Sequence, residues 1–219
     1  SRLFLVGSCF VENIGAKLAY YKFRTTINPF GILFHPEAIA RFLEYAISDK
    51  QLSENDLEEI QGRFVSFDAH SALSASSVTE TTKLLNEALV ETKHQLTQAS
   101  HIVITLGTAW GYRHLKQDKI VANCHKIPQK AFQKELTSVD DIAVTTRRVL
   151  SAIAKVNSQA QVIFTVSPVR HTKDGFVENQ RSKAHLLAGM HQVLDDSQHM
   201  AYFPSYELMM DELRDYRFY

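Results

Sequence analysis

The tetrapeptide Gly7-Ser8-Cys9-Phe10 directly follows the apolar run Leu3-Phe4-Leu5-Val6. A serine at such a strand-to-helix turn sets its hydroxyl beside the unpaired N–H groups of a helix start. Those groups and the helix dipole can hold a developing oxyanion, so Ser8 is a candidate nucleophile. Gly7 lets the chain turn tightly and lets a substrate approach. The plainer reading is that Ser8 only caps the helix. Cys9 at the same turn has two readings of its own. It is a nucleophile activated by the helix N-terminus, or a small buried apolar residue. Being adjacent, at most one of Ser8 and Cys9 faces a substrate. No Gly-x-Ser-x-Gly elbow occurs, which argues against a typical α/β-hydrolase.

Three further segments end in small or polar residues. They are Asn28-Pro29-Phe30-Gly31, Gly107-Thr108-Ala109-Trp110 and Ser167-Pro168-Val169-Arg170-His171. His171 reads as a base or substrate contact, or as a ring bonded to a loop carbonyl. Asn123, His125 and Lys126 together can grip an oxyanion or a carboxylated substrate, or can anchor a loop. His70 is a third histidine candidate. Trp110 and Tyr112 can stack on a sugar ring, although packing is their more usual role. The chain has ten histidines, but no pair stands at ligand spacing on a recognisable element. No metal and no cofactor is expected.

The elements that must position these residues follow from periodicity. Leu3 to Val6, Lys22 to Ile27, Arg63 to Asp68, His101 to Leu106, Gln161 to Val166 and Met200 to Phe203 read as strands. Trp110 to His114 and Lys119 to Ala122 read as a hairpin or two extended segments. Helices are predicted from Ser8, from Pro36, over 78–98, over 138–156 and over 179–194, with a last one over 206–213. Strands alternating with helices predict a parallel sheet with helices on both faces. Active sites of such sheets lie beyond the carboxyl ends of the strands, and all four candidate segments fall there. No internal repeat and no domain boundary is visible, so residues 1–219 read as one domain.

Composition narrows the classes. The 219 residues carry 24 Lys plus Arg and 24 Asp plus Glu, a net charge of zero. That leaves no electrostatic footprint for nucleic acid or an anionic membrane. Hydrophobic residues are 45% and charged residues 22%, which is ordinary for a globular domain. No apolar run approaches the ~20 residues of a membrane span. Two cysteines, Cys9 and Cys124, make no disulfide framework and fit a reducing, cytoplasmic setting. No signal peptide is visible, and both ends of the chain read as cut.

Gly7-Ser8-Cys9-Phe10 also matches the motif for which the GSCFA family is named, with Val11 in place of its fifth letter, Ala. The blocks at 28–31, 107–110, 123–126, 167–171, 182–183 and 203–219 resemble that family too, in order and over nearly the whole chain. The family is bacterial and grouped with the SGNH (GDSL-like) hydrolases. The resemblance implies an α/β fold: a three-layer α/β/α sandwich with a mainly parallel sheet of about five strands, flavodoxin-like.

By the same resemblance Ser8 is the nucleophile, and the Ser8 and Gly31 N–H groups form the oxyanion hole. Residues 107–110 are a third block in which Ala109 replaces an expected Asn. Losing that donor costs ~3 kcal/mol of transition-state stabilisation unless Thr108, Asn28 or Asn123 replaces it. The family's Asp-x-x-His block, which supplies acid and base, is expected beyond Tyr219, leaving His171 as the first suspect for a base within the chain. The function implied is hydrolysis of a small-molecule or carbohydrate ester (esterase or deacylase). The alternative is a non-catalytic ligand-binding domain on the same scaffold, and acyl transfer to an acceptor other than water is a third option. Oligomeric state is not implied.

Overall fold

The computed structural model describes residues 1–194 and 200–213. In chain order its elements are β1 (Arg2–Gly7), α1 (Cys9–Tyr20), β2 (Arg24–Ile27), α2 (Pro36–Ile47), β3 (Glu58–Ile60), β4 (Arg63–Val65) and α3 (Val78–Gln98). There follow β5 (His101–Leu106), β6 (Trp110–His114), β7 (Lys119–Ile120), β8 (Phe132–Leu136), α4 (Val139–Val156), β9 (Gln161–Val166), α5 (Phe176–Leu194), β10 (Met200–Tyr202) and the short α6 (Ser205–Glu207). The main sheet has five strands in the order β2-β1-β5-β9-β10, and every pair is parallel. This is the doubly wound, flavodoxin-like order. The alternation of strands and helices in the sequence therefore gives the sheet it predicts.

Period-2 patterning decides how the two faces are covered. Phe4, Val6, Ile102, Ile104, Leu106, Val162, Phe164 and Val166 point to one face. They are buried with Ile39 and Phe42 of α2, Leu85 of α3, Ile142 and Val149 of α4 and Leu186 and Met190 of α5. The opposite face, with Leu3, Leu5, Val103 and Ile163, meets Phe10, Val11, Ile14 and Leu18 of α1. Burial at ~25 cal/mol per Å² of apolar surface makes the first face the main core.

The order reverses at β1, which has β2 on one side and β5 on the other. The crevice at such a switch point lies over the carboxyl ends of the strands, here Gly7-Ser8 and Gly107-Thr108. Gly7 has φ +139°, and a Cβ there would lie 2.1 Å from the Thr105 carbonyl oxygen. No other residue fits this turn without moving a backbone.

Two expectations are corrected and one unforeseen strand is added. The strand read over 63–68 is only β4, an antiparallel partner of β3. Residues 132–136 form β8, which joins β6 and β7 in a small antiparallel sheet inserted between β5 and α4. The helix read over 206–213 is the single turn α6 followed by a π-helical turn, Leu208–Glu212.

Candidate active site

Ser8 sits at the N-cap of α1, in extended geometry, yet its side chain makes no capping bond. The backbone carbonyl of Ser8 instead accepts from Val11 N–H at 2.9 Å. The hydroxyl is fully buried, and Oγ has no hydrogen-bond partner. A buried hydroxyl left unpaired is costly, so such atoms are rare and ask for a reason.

Asn28 stands at the carboxyl end of β2 with a left-handed φ of +43°. Gly7 N–H donates to its Oδ1 at 2.9 Å. That bond fixes the amide's orientation, because only the oxygen can accept. Nδ2 is thereby turned away from Gly7, and it too is buried without a partner. Among Thr108, Asn28 and Asn123, Asn28 alone presents a free buried donor. Thr108 Oγ1 pairs with Ser182 Oγ at 3.0 Å and accepts from Trp110 N–H. Asn123 Oδ1 accepts from His125 N–H at 2.8 Å. Ala109 is buried, and its N–H donates to Ser182 Oγ.

The two backbone donors expected of the oxyanion hole are already engaged. Gly31 N–H donates to the Asn28 carbonyl at 2.8 Å, closing the turn that places Asn28. Ser8 N–H donates to the Thr105 carbonyl at 3.2 Å, continuing the β1–β5 ladder. Gly31 has a tighter constraint: at φ +76°, a Cβ would lie 2.3 Å from that of His70.

His171 follows β9. Its N–H donates to Asn179 Oδ1 at 2.9 Å, and its ring meets Phe34 edge-on at 5.6 Å. Nε2 is buried and unpartnered. Burial lowers its pKa first and the Lys183 charge next, against Asp174. The ring is thus held neutral, the form that can take a proton. The carbonyl reading of this ring does not hold for Nε2.

His125 has the bland role. Nε2 lies 2.8 Å from the Ser66 carbonyl, an acceptor that requires the proton on Nε2. The ring is buried near Phe67, and burial lowers its pKa. Its left-handed φ of +48° and the Asn123 bond anchor the loop.

A cavity of about 620 Å³ opens beside these groups. His70, Thr108, Trp110, Tyr112, Asn123 and His171 line it, together with Ile32 and Phe34. Ser8, Asn28, Gly31, Gly107 and His125 do not. The wall of Ile32 and Phe34 belongs to the segment that packs over the serine turn. Leu33 N–H donates to the Gly7 carbonyl, and the Phe34 carbonyl accepts from Gly107 and Thr108 N–H. Trp110 is fixed through its indole N–H, which donates to the Glu178 carbonyl at 3.1 Å, and Lys134 lies over its ring.

The site also contains Lys183, which the sequence reading placed in a block resembling the family but gave no role. It lies within the stripe Asn179, Ser182, Lys183, Leu186 of α5, all of them buried. The chain also carries one Asp-x-x-His spacing, Asp196-Ser197-Gln198-His199, which that reading missed. These residues lie outside the described ones. The Met200 that follows pairs with Val162, at the edge of the sheet opposite Ser8. Among the described residues no group of three or more His, Cys, Asp or Glu could hold a metal ion. No described helix is long and apolar enough to cross a membrane.

No curated protein matches the chain. Among solved structures, an acetyl xylan esterase (Est2A) from the rumen bacterium Butyrivibrio proteoclasticus is similar at 12% identity and a TM-score of 0.23. The match covers 48% of this chain and 27% of that one. The model of the GSCFA family matches residues 2–219, serine turn included. The chain belongs to the GSCFA family.

Proposed function

We propose that the chain is a serine hydrolase of esters, with Ser8 as nucleophile, Asn28 as oxyanion donor and His171 as base. One observation carries the reading. Among the described residues only four buried side-chain polar atoms lack a partner, and three of them are Ser8 Oγ, Asn28 Nδ2 and His171 Nε2. A hydroxyl, an amide donor and a neutral imidazole nitrogen are the three functions that acyl transfer needs. All three stand at the carboxyl edge of one parallel sheet, where such sheets bind ligands.

In the reaction Ser8 Oγ attacks the acyl carbon as His171 Nε2 takes its proton. The carbonyl oxygen becomes an oxyanion that Asn28 Nδ2–H stabilises. Collapse expels the alcohol, which takes the proton back from His171, and water then repeats the sequence on the acyl-enzyme. Ser8 is fully buried, so the wall of Ile32 and Phe34 must shift for an ester in the cavity to reach it. Trp110 and Tyr112 offer flat faces to a sugar ring, which supports a carbohydrate ester as substrate. The full burial of Ser8 favours a second reading, a ligand-binding domain that kept the scaffold without the chemistry.

Intact mass after fluorophosphonate treatment separates the two. The hydrolase reading expects one adduct on the wild type and none on Ser8→Ala. A wild type that takes up no Ser8-dependent adduct leaves the binding domain as the account.

A further inference from the structure

Lys183 is 0% exposed. Its Nζ donates to the Gly107 carbonyl and to the Ser167 carbonyl, each at 2.7 Å. Those carbonyls end β5 and β9, so one side chain ties together the two strand ends that carry Thr108 and His171. The rest of its helix supports the same loops. Asn179, one turn earlier on the same face, receives His171 N–H, and Ser182 receives Ala109 N–H.

The charge is the unusual part. Elsewhere a buried charge is matched: Asp68 is held by Arg41 at 2.7 Å and by Lys119 at 2.8 Å. Lys183 makes no ion pair among the described residues and is held by carbonyl dipoles alone. A buried cation without a counter-ion is expensive, and a hydrophobic residue of the same length would avoid the cost. The groups that face it are Cys9 of α1, His171 after β9 and the Tyr206 ring at 6.0 Å. No carboxylate is among them. The His171 ring in turn faces Lys183, Asp174 and Phe34.

We propose that Lys183 is the positioning residue of the site. It clamps the ends of β5 and β9 beside the serine turn, and its positive charge adds to burial in favouring the neutral His171 ring that accepts the Ser8 proton. Burial lowers the Lys183 pKa to about 8, so at neutral pH the charge is still present. The inference takes its meaning from the hydrolase reading, but its first measurement does not depend on it.

That measurement is the NMR titration of the His171 ring in the whole chain, assigned by the signal missing from His171→Gln. Lys183→Gln removes the charge and keeps a side chain that can donate to carbonyls. The expected result is a His171 midpoint raised by about half a unit or more toward the ordinary value near 6.5. A purely structural lysine would lower the melting temperature and leave the midpoint in place, and that result overturns the proposal. Lys183→Arg keeps the charge and should keep the lowered midpoint. If Lys183→Gln does not fold, a midpoint restored to about 6.5 in Lys183→Arg overturns the proposal instead. Fluorophosphonate labelling of Lys183→Gln should be at least tenfold slower than wild type. A wild type that never labels, with a midpoint that does move, removes the hydrolase reading and leaves the electrostatic role of Lys183 standing.

Discussion

Helices α1 and α4 both begin on a serine in extended geometry, Ser8 at φ −71°, ψ 174° and Ser138 at φ −68°, ψ 160°. Ser138 does what a capping serine does. Its Oγ accepts from Asp141 N–H at 3.1 Å and lies 2.6 Å from the Asp141 carboxylate. Ser8 makes neither bond. The difference starts at the third residue of each helix. At α4 that residue is Asp141, whose N–H and carboxylate both bond the Ser138 hydroxyl. At α1 it is Val11, whose side chain offers nothing polar and whose N–H goes to the backbone carbonyl of Ser8. Equal residue and equal backbone thus give one hydroxyl held by its helix and one left free. A free hydroxyl at the positive end of a helix is the condition for chemistry, whereas a bonded one is only a stop signal.

The largest expected effect tests whether the free hydroxyl of Ser8 has a free donor to work with. Asn28→Asp keeps the oxygen that Gly7 N–H needs and removes the Nδ2 donor. Labelling of Ser8 should slow by about 10²–10³-fold, the loss typical of one oxyanion donor. The melting temperature reports whether the Gly7 bond survives. A labelling rate within threefold of wild type, in a folded protein, would return Asn28 to a purely structural role.

A third helix start sharpens the contrast, because its cap titrates. His35 precedes α2, and its Nδ1 accepts from Glu37 N–H while Nε2 lies 2.9 Å from Thr137 Oγ1. Burial lowers its pKa to about 4. The unfolded chain would take up the proton near 6.5, before the folded one does. The stability His35 contributes is therefore complete above pH 6.5 and is lost as pH falls toward 4, by roughly 3 kcal/mol over that window. His125 and His171, also lowered, act with the same sign. His35→Asn keeps a capping acceptor that does not titrate, so the acid limb in urea midpoints should flatten. An unchanged limb would place the acid sensitivity elsewhere.

How far the sequence foretells this site depends on the range of the interactions. The turn at Gly7-Ser8 was legible because a buried strand followed by Gly-Ser and an apolar helical stripe is a local pattern. The parallel sheet covered by helices was legible through alternation, while its flavodoxin-like form was implied only by the family resemblance. The engagement of Gly31 and Ser8 N–H was not legible, because each acceptor is set by tertiary placement. The role of Lys183 was hidden for the same reason: nothing local distinguishes a lysine on a solvated helix face from one that reaches two strand ends. Strands β3 and β8 carry Glu58-Glu59 and Gln133-Lys134-Glu135, polar stretches whose pairing depends on a partner strand rather than on their own patterning.

The smallest effect in energy bears most directly on the two serines. Ser138→Ala should cost about 1 kcal/mol, since it strips the N-terminal amides of α4 of their acceptor. Ser8→Ala removes no hydrogen bond. It deletes a hydroxyl that folding strips of water and leaves unpaired, and such a group opposes stability by about 1–3 kcal/mol. Some of that gain is lost to the small void the deleted oxygen leaves at a close-packed turn. The net change should therefore be near zero or stabilising, with all labelling gone. Urea unfolding of the two variants in parallel reads both values. A loss near 1 kcal/mol for Ser8→Ala, equal to that for Ser138→Ala, would mean that Ser8 caps α1 in solution after all. Opposite signs would mean that the turn carries an unsatisfied hydroxyl at a stability cost, as a group retained for chemistry does.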